Sequence, residues 1–253
     1  MRGAAPNALT DGETRELARS WMVRYAVVIV ALILVQTLFS EAGRLLADAI
    51  LAPGSGRHAH MWVHHATQAI LALALIAFLR RRTHLDFGFR FGSISLGLRA
   101  VGVCLGVTTA ALVAYDAWIA PALTGQAGSL PFAEGPRLGE LAFQLGGSGT
   151  SEEILFRSLA ITVLAGIRSV RLVGTRWPLT LETLVAAVLF GAAHVQVSTA
   201  GVAADPGQLV FAFVMGLAQG VIFQRTRSIV WPMLLHSAST VVACLVVWYV
   251  AAS

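Results

Sequence analysis

The stretch YAVVIVALILVQTLF, residues 25–39, decides the fold class because it contains no charged side chain. It lies within an apolar run over residues 22–46, and a helix needs about 20 apolar residues to cross a hydrocarbon core of about 30 Å. Similar runs recur at 61–80, 98–121, 138–166, 181–199, 207–224 and 228–250. The sequence therefore predicts an all-α polytopic transmembrane bundle of about seven spans, with residues 21–253 as a single domain.

The composition of the whole chain supports the same fold class. Apolar residues make up 57% of the 253 positions and charged residues only 12%, with a mean hydropathy of +0.74. A soluble domain carries about 25% charged residues. This excludes a soluble enzyme, a disordered tail and a secreted disulfide scaffold. The net charge of +5 comes from arginines between apolar runs, so we expect a lipid bilayer and no nucleic acid as partner.

The arginines predict the orientation in the membrane. All 18 basic residues are arginine, and cytoplasmic loops are the ones that collect positive charge. Counted together with the adjoining ends of the apolar runs, the odd-numbered segments hold fourteen of them and the even-numbered segments hold three, and Arg157 lies well inside a run. Residues 1–20 are therefore predicted to be a cytoplasmic N-terminal tail, and the protein a multi-pass protein of the cell (plasma) membrane.

Three ionisable residues interrupt the fourth apolar run, in the string GTSEEILFR over residues 149–157. Each costs about 2.5–3.5 kcal/mol at the centre of a membrane helix, so their presence needs a reason. Glu153 and Arg157 stand four positions apart and are expected to form an ion pair. Glu152 points about 100° away around the helix and needs another partner. Gly146, Gly147 and Gly149 suggest that the helix is loosened or broken just before the acids.

Two histidines on later spans are candidate partners for Glu152. His194 ends the string FGAAH that begins at Phe190, and His236 lies on the seventh span with Thr240 four residues on. We expect these spans to converge and to place Glu152, His194 and His236 around one cavity. The other histidines are expected at interfaces or in solvated loops: His58, His60, His64, His65 and His84.

Several functions fit these residues. Glu153 and Arg157 suit a structural ion pair, whereas a spare carboxylate with two histidines suits a site that activates water, because a desolvated carboxylate can act as a general base near neutral pH. A proton-coupled transporter would use the same residue types. The residues alone favour an enzyme over a transporter without excluding the latter.

The motifs resemble those of the CAAX-protease and bacteriocin-processing family of intramembrane endopeptidases, also called the abortive-infection family. The family motif E-E-x-x-x-R is matched by Glu152, Glu153 and Arg157. Its F-x-x-x-H is matched by Phe190 and His194. Its H-x-x-x-N is matched at His236, whereas Thr240 stands where asparagine is usual. The resemblance covers about residues 140–245, which is the core bundle of the family.

The resemblance implies an intramembrane endopeptidase that hydrolyses peptide or membrane-protein substrates near the membrane. Glu152 would be the general base, with His194 holding the water and His236 stabilising the oxyanion. Thr240 would assist His236 in place of the asparagine. Glu153 and Arg157, with Phe190, would support the catalytic residues.

The resemblance leaves the cofactor open. Glu152, His194 and His236 would be the ligands if the site bound zinc, which favours nitrogen and oxygen donors. No H-E-x-x-H string is present, and a glutamate-based mechanism that needs no cofactor is the preferred interpretation. Thr240 keeps a further alternative open, in which the protein is a non-catalytic family member that acts as an immunity factor or membrane scaffold.

Overall fold

The computed structural model describes residues 11–119, 122, 137–198, 201–204 and 206–250. The first ten residues of the predicted N-terminal tail and the last two residues of the predicted third span lie outside the described residues. The first helix begins at Asp11. The second half of the predicted tail is therefore part of the helix that contains the first span.

The described residues form a helical bundle, which confirms the predicted fold class. Two short antiparallel hairpins lie outside the helices, and neither forms part of a larger sheet. The seven helices of the described chain are α1 (Asp11–Ile50), α2 (Arg57–Arg82), α3 (Ile94–Ile119), α4 (residues 137–167), α5 (Leu181–Ala192), α6 (Pro206–Thr226) and α7 (Val230–Val250). The hairpins pair β1 (Arg171–Val173) with β2 (Leu179–Thr180) and β3 (Gln196–Ser198) with β4 (Gly201–Ala203).

Five of these helices are long and apolar enough to cross a membrane, namely α1, α2, α3, α6 and α7. Their outer faces carry large exposed apolar side chains, such as Val27, Leu38 and Val103. In a membrane these side chains contact lipid, where burying them inside the protein gains no hydrophobic energy. The count of seven spans and the cytoplasmic N-terminus remain predictions.

Helix α5 is much shorter than the predicted fifth span over residues 181–199. It has 12 residues, which gives a length of about 18 Å, less than the hydrocarbon thickness of about 30 Å. The helix ends because the following string VQVS, residues 195–198, alternates apolar and polar residues and favours a strand. The predicted boundary was therefore wrong, and His194 lies just beyond the helix, in the turn before β3.

Helix α4 is continuous but widened on both sides of the acidic pair. Its segments Gln144–Ser148 and Ile154–Ile161 are π-helical, and Gly149–Glu153 between them is α-helical. The glycine-rich stretch therefore loosens the helix, as expected, but does not break it. Wide π-helical turns inside α-helices are frequent at functional sites.

The helix ends gather at two opposite ends of the bundle. His58 in the first turn of α2 lies 3.1 Å from Glu140 in the first turn of α4. We call this end of the bundle, which also contains residues 51–57 and 206–208, the mouth end. At the other end, the backbone N–H of Ile229 donates to the carbonyl of Gly88 at 2.9 Å. We call this the loop end, and it contains residues 83–93, 168–180 and 227–229.

Gly149 allows α4 to approach α7 at the level of His236. A Cβ atom at Gly149 would lie 2.7 Å from Oγ of Ser237 and 3.0 Å from the backbone nitrogen of the same residue. Because a backbone atom cannot rotate away, any side chain here pushes the two helices apart. Because Gly149 has no side chain, the acidic pair of α4 can lie close against α7.

We predict that Gly149→Ala lowers the thermal unfolding temperature of the detergent-solubilised protein by several degrees, because overpacking costs about 1–3 kcal/mol. The matched control is Gly102→Ala on α3, where a Cβ atom meets nothing within 4 Å. That change gains the usual helix propensity of alanine, roughly 0.5–1 kcal/mol. Equal unfolding temperatures for the two variants would contradict the close approach at Gly149.

Candidate active site

A buried ion-pair network connects α4 to α7. Glu153 is completely buried, and its Oε1 lies 3.1 Å from Nη1 of Arg157 and 2.8 Å from Nδ1 of His236. A carboxylate can only accept hydrogen bonds, so Nδ1 of His236 carries the hydrogen that it shares with Glu153. This bond fixes the imidazole ring and leaves its Nε2 pointing away from Glu153.

Arg157 is held from two further sides. Its Nη2 donates a hydrogen bond to Oε1 of Gln219 on α6, and its guanidinium lies 4.4 Å from the centroid of the Phe190 ring. Cations are attracted to the faces of aromatic rings, most strongly where water is excluded. Arg157 therefore ties α4 to α5 and α6, while Glu153 ties it to α7.

Glu152 faces a different set of groups from Glu153. Its Oε2 lies 3.6 Å from Nε2 of His236, and its Oε1 lies 3.9 Å from Nδ1 of His65. Oε2 is buried without a hydrogen-bond partner among the described residues. A buried acceptor left in this state is costly and needs an explanation. Since Glu152 lines a cavity, a molecule bound there can contact its carboxylate.

His65 of α2 belongs to this site, contrary to the expectation of an interfacial or solvated role. Its side chain is only 14% exposed, and its Nδ1 lies 2.8 Å from Oγ of Ser151. His58 also departs from the expectation, since it contacts the buried Glu140. The signal for His65 was its position inside the apolar run over residues 61–80, where an ionisable group is as costly as in α4.

Phe190 and His194 form a local unit at the end of α5. Nδ1 of His194 lies 2.8 Å from the carbonyl oxygen of Phe190. Since a carbonyl only accepts, Nδ1 of His194 is the donor, and Nε2 of a neutral ring is an acceptor. The Phe190 ring packs edge-on against His194 and His236, with centroid distances of 4.9 and 5.7 Å. The spacing of four residues thus lets one aromatic ring support both histidines and Arg157.

Thr240 is less well placed than the motif suggested. Its hydroxyl donates to the carbonyl of His236 at 3.0 Å and lies 3.2 Å from the carbonyl of Ser237. A hydroxyl has a single hydrogen to donate. Although Thr240 lines the same cavity as His236, its hydrogen is bound within α7.

The central cavity brings the candidate residues together. It has a volume of about 200 Å³ and reaches the mouth end, where Arg57 and Gln208 line it. A volume of this size holds several water molecules or a short part of a bound chain. Its titratable lining residues besides Arg57 are His65, Glu140, Glu152, His194 and His236.

The described residues do not form a metal site. No group of three or more His, Cys, Asp or Glu side chains among them converges on one point as metal ligands. Zinc requires three or four such donors at about 2.0–2.3 Å. The predicted zinc ligands Glu152, His194 and His236 line one cavity without this arrangement.

A comparison with protein families identifies the segment that carries these residues. Residues 137–242 match the family model described as Rce1-like, type II CAAX prenyl endopeptidase. This segment is similar to the Rce1-like family. It contains all three motifs, and the match confirms the family resemblance drawn from them. Comparisons with curated proteins and with solved structures gave no match. The Rce1-like family is a protease family, which supports a membrane-embedded protease.

We predict that Arg157→Met strongly destabilises the protein, because removing one partner of a buried ion pair costs about 3–5 kcal/mol. The matched control is Arg44→Met on α1. Arg44 also has a carboxylate partner four residues away, Asp48 at 2.8 Å, but both side chains are about half exposed. Thermal unfolding in detergent should show a large loss for Arg157→Met and almost none for Arg44→Met. Similar small losses of thermal stability in the two variants would contradict a stabilising contribution from the buried ion-pair network.

Proposed function

We propose that the protein is an intramembrane endopeptidase that hydrolyses peptide bonds with a water molecule activated by Glu152. The observation that supports this most directly is the position of Glu152, which lines the central cavity and whose unpartnered Oε2 lies 3.6 Å from Nε2 of His236. Hydrolysis of an amide needs a base, an oxyanion stabiliser and a proton donor. All three can be assigned to side chains of this cavity.

The proposed mechanism requires His236 as an imidazolium, because its Nδ1–H is bound to Glu153 and the oxyanion needs a second donor on Nε2. Glu152 and Glu153 are two anions in a buried site, and Arg157 neutralises only one of them. An unpaired buried charge is very costly. An imidazolium at His236 restores neutrality and can donate from both nitrogens, from Nδ1 to Glu153 and from Nε2 into the space beside Glu152.

In the proposed reaction, Glu152 takes a proton from a water molecule as the water oxygen attacks the scissile carbonyl carbon. Nε2–H of His236 donates to the oxyanion that forms on the carbonyl oxygen. The tetrahedral intermediate then collapses, the C–N bond breaks, and the proton held by Glu152 passes to the leaving amine nitrogen. The products are a carboxylic acid and an amine, the acid then passes its proton to the amine to give a carboxylate and an ammonium group, and Glu152 returns to its starting state.

Two further histidines can orient the water. Nε2 of His194 is an acceptor when Nδ1 donates to the Phe190 carbonyl, so it can accept a hydrogen from the water that Glu152 deprotonates. His65 is anchored to Ser151 and lies 3.9 Å from Oε1 of Glu152, whereas His236 lies beside Oε2. Positioning of this kind lowers the entropy cost of bringing water and peptide together.

We predict that Glu152→Gln lowers kcat for a fluorogenic peptide by about 10²–10⁴, the contribution of a general base, without raising KM. His236→Ala should lower kcat by about 10²–10³, the contribution of an oxyanion donor. The matched control is Glu182→Gln. Glu182 is completely buried, but it lies at the loop end, outside the lining of the central cavity, and accepts hydrogen bonds from Ser169 and Gln224, which an amide oxygen can also accept. Unchanged turnover in Glu152→Gln would refute the proposal.

A second candidate function is a non-catalytic immunity factor or membrane scaffold. It is favoured by Thr240, which replaces the asparagine of the family motif and uses its hydrogen within α7. Under this alternative, a Glu152→Ala strain keeps the full biological activity of the wild type. Under the endopeptidase proposal the same strain behaves as a deletion strain.

We also propose that the central cavity opens on the outer side of the plasma membrane. It reaches the mouth end, whereas Arg80, Arg90, Arg171 and Arg227 lie at the loop end, the predicted cytoplasmic side. Peptide segments outside the cytoplasm would then be the substrates.

We predict that sealed right-side-out vesicles cleave a membrane-impermeant charged peptide, whereas sealed inside-out vesicles cleave it only after detergent is added. A charged peptide does not cross the bilayer and reaches only the openings on the outer surface of each vesicle. Vesicles that contain Glu152→Gln provide the background rate. Cleavage by intact inside-out vesicles alone would reverse the proposed orientation.

A further inference from the structure

A second polar cavity lies beside Glu152, and we call it the side cavity. Its volume is about 170 Å³, and it lies between α1, α2 and the end of α5. Gln36 and Ser40 of α1 line it together with His64 and Gln68 of α2. Both helices are long and apolar enough to cross a membrane. Polar side chains at this depth are costly unless they have partners.

The polar groups of the side cavity find no such partners within the described part of the chain. Neither Gln36, Ser40 nor Gln68 forms a hydrogen bond there. Their sequence neighbours Thr37 and Thr67 behave differently, because each donates to a carbonyl of its own helix, at 2.9 and 2.8 Å. A cavity that is polar and large enough for several waters is hydrated, since water supplies the missing hydrogen bonds.

The side cavity meets the central cavity at the candidate catalytic residues. His65, Glu152, Phe190 and His194 line both of them. Glu152 therefore forms part of the wall between the two spaces. A peptide chain in the central cavity displaces the few waters that fit there, although each hydrolysis consumes one water.

We propose that the side cavity binds water and delivers it to Glu152 while a peptide occupies the central cavity. In this proposal a chain of water molecules binds to Gln36, Ser40 and Gln68. His194 binds the last of these waters next to the carboxylate of Glu152. This inference rests on the proposed endopeptidase function. It makes Gln36 and Gln68 positioning residues for water, with no contact to the peptide.

The first test measures hydration without using activity. Ser40→Cys and Thr37→Cys are made in a background in which Cys104 and Cys244 are replaced by alanine, and membranes are treated with a small water-soluble methanethiosulfonate reagent. The reagent reacts with thiolates, which form in water and not in lipid. Ser40→Cys should be labelled, and Thr37→Cys on the exposed side of α1 should not. Absence of labelling at Ser40→Cys would overturn the proposal.

The second test measures turnover. Gln36→Leu and Gln68→Leu replace an amide by methyl groups and should lower kcat about tenfold, equivalent to about 1.4 kcal/mol, with KM unchanged. Thr37→Val and Thr67→Val are the matched controls, each one position away and bonded only to its own helix. Gln68→Asn keeps an amide and should restore most of the turnover, which a general folding defect would not allow.

The two tests separate the possible failures. Labelled Ser40→Cys with unchanged kcat in both leucine variants means that the side cavity is hydrated but does not supply the reaction, which overturns the proposal. A rise in KM at constant kcat assigns the side cavity to the peptide and also overturns it. No peptide hydrolysis by the wild type refutes the endopeptidase function and the supply role together, while labelling still reports whether the cavity is hydrated.

Discussion

The carboxylate of Glu153 is the group on which the site depends, because its Oε1 contacts both Arg157 and His236 in a fully buried place. A buried charge without partners costs several kcal/mol, so the helices that carry these partners must stay together. The same contact turns Nε2 of His236 towards Glu152. One buried anion therefore determines both how α4 packs against α7 and how the second carboxylate meets an imidazole.

The early end of α5 provides the space for this chemistry. A helix of about 18 Å ends within the thickness of a bilayer, and the turn that follows places His194 beside Glu152 in the lining of two cavities. Phe190 supports the turn through its carbonyl and its ring. A full-length span here would fill the interior with apolar side chains and leave no room for water or a peptide.

Much of this site could be predicted from the sequence, because the cost of charge in a membrane singles out Glu152, Glu153 and Arg157 without any structural information. His194, four residues after Phe190, and His236 on α7 followed from their positions in later apolar runs and from the family motifs. His65 was missed because local sequence patterns do not reveal which helices from distant parts of the chain contact each other. The hydrogen bond of Thr240 within α7 depends on a side-chain rotamer, which the sequence does not determine.

The most direct test of water activation by Glu152 is a single turnover in water enriched in oxygen-18, with the enzyme in excess over the peptide. Mass spectrometry is then applied to the peptide products and to the enzyme fragment that contains Glu152. If Glu152 acts as a general base, one oxygen-18 atom enters the new carboxylate of the product and none enters Glu152. Oxygen-18 in the side chain of Glu152 would show a covalent acyl intermediate and would contradict this account.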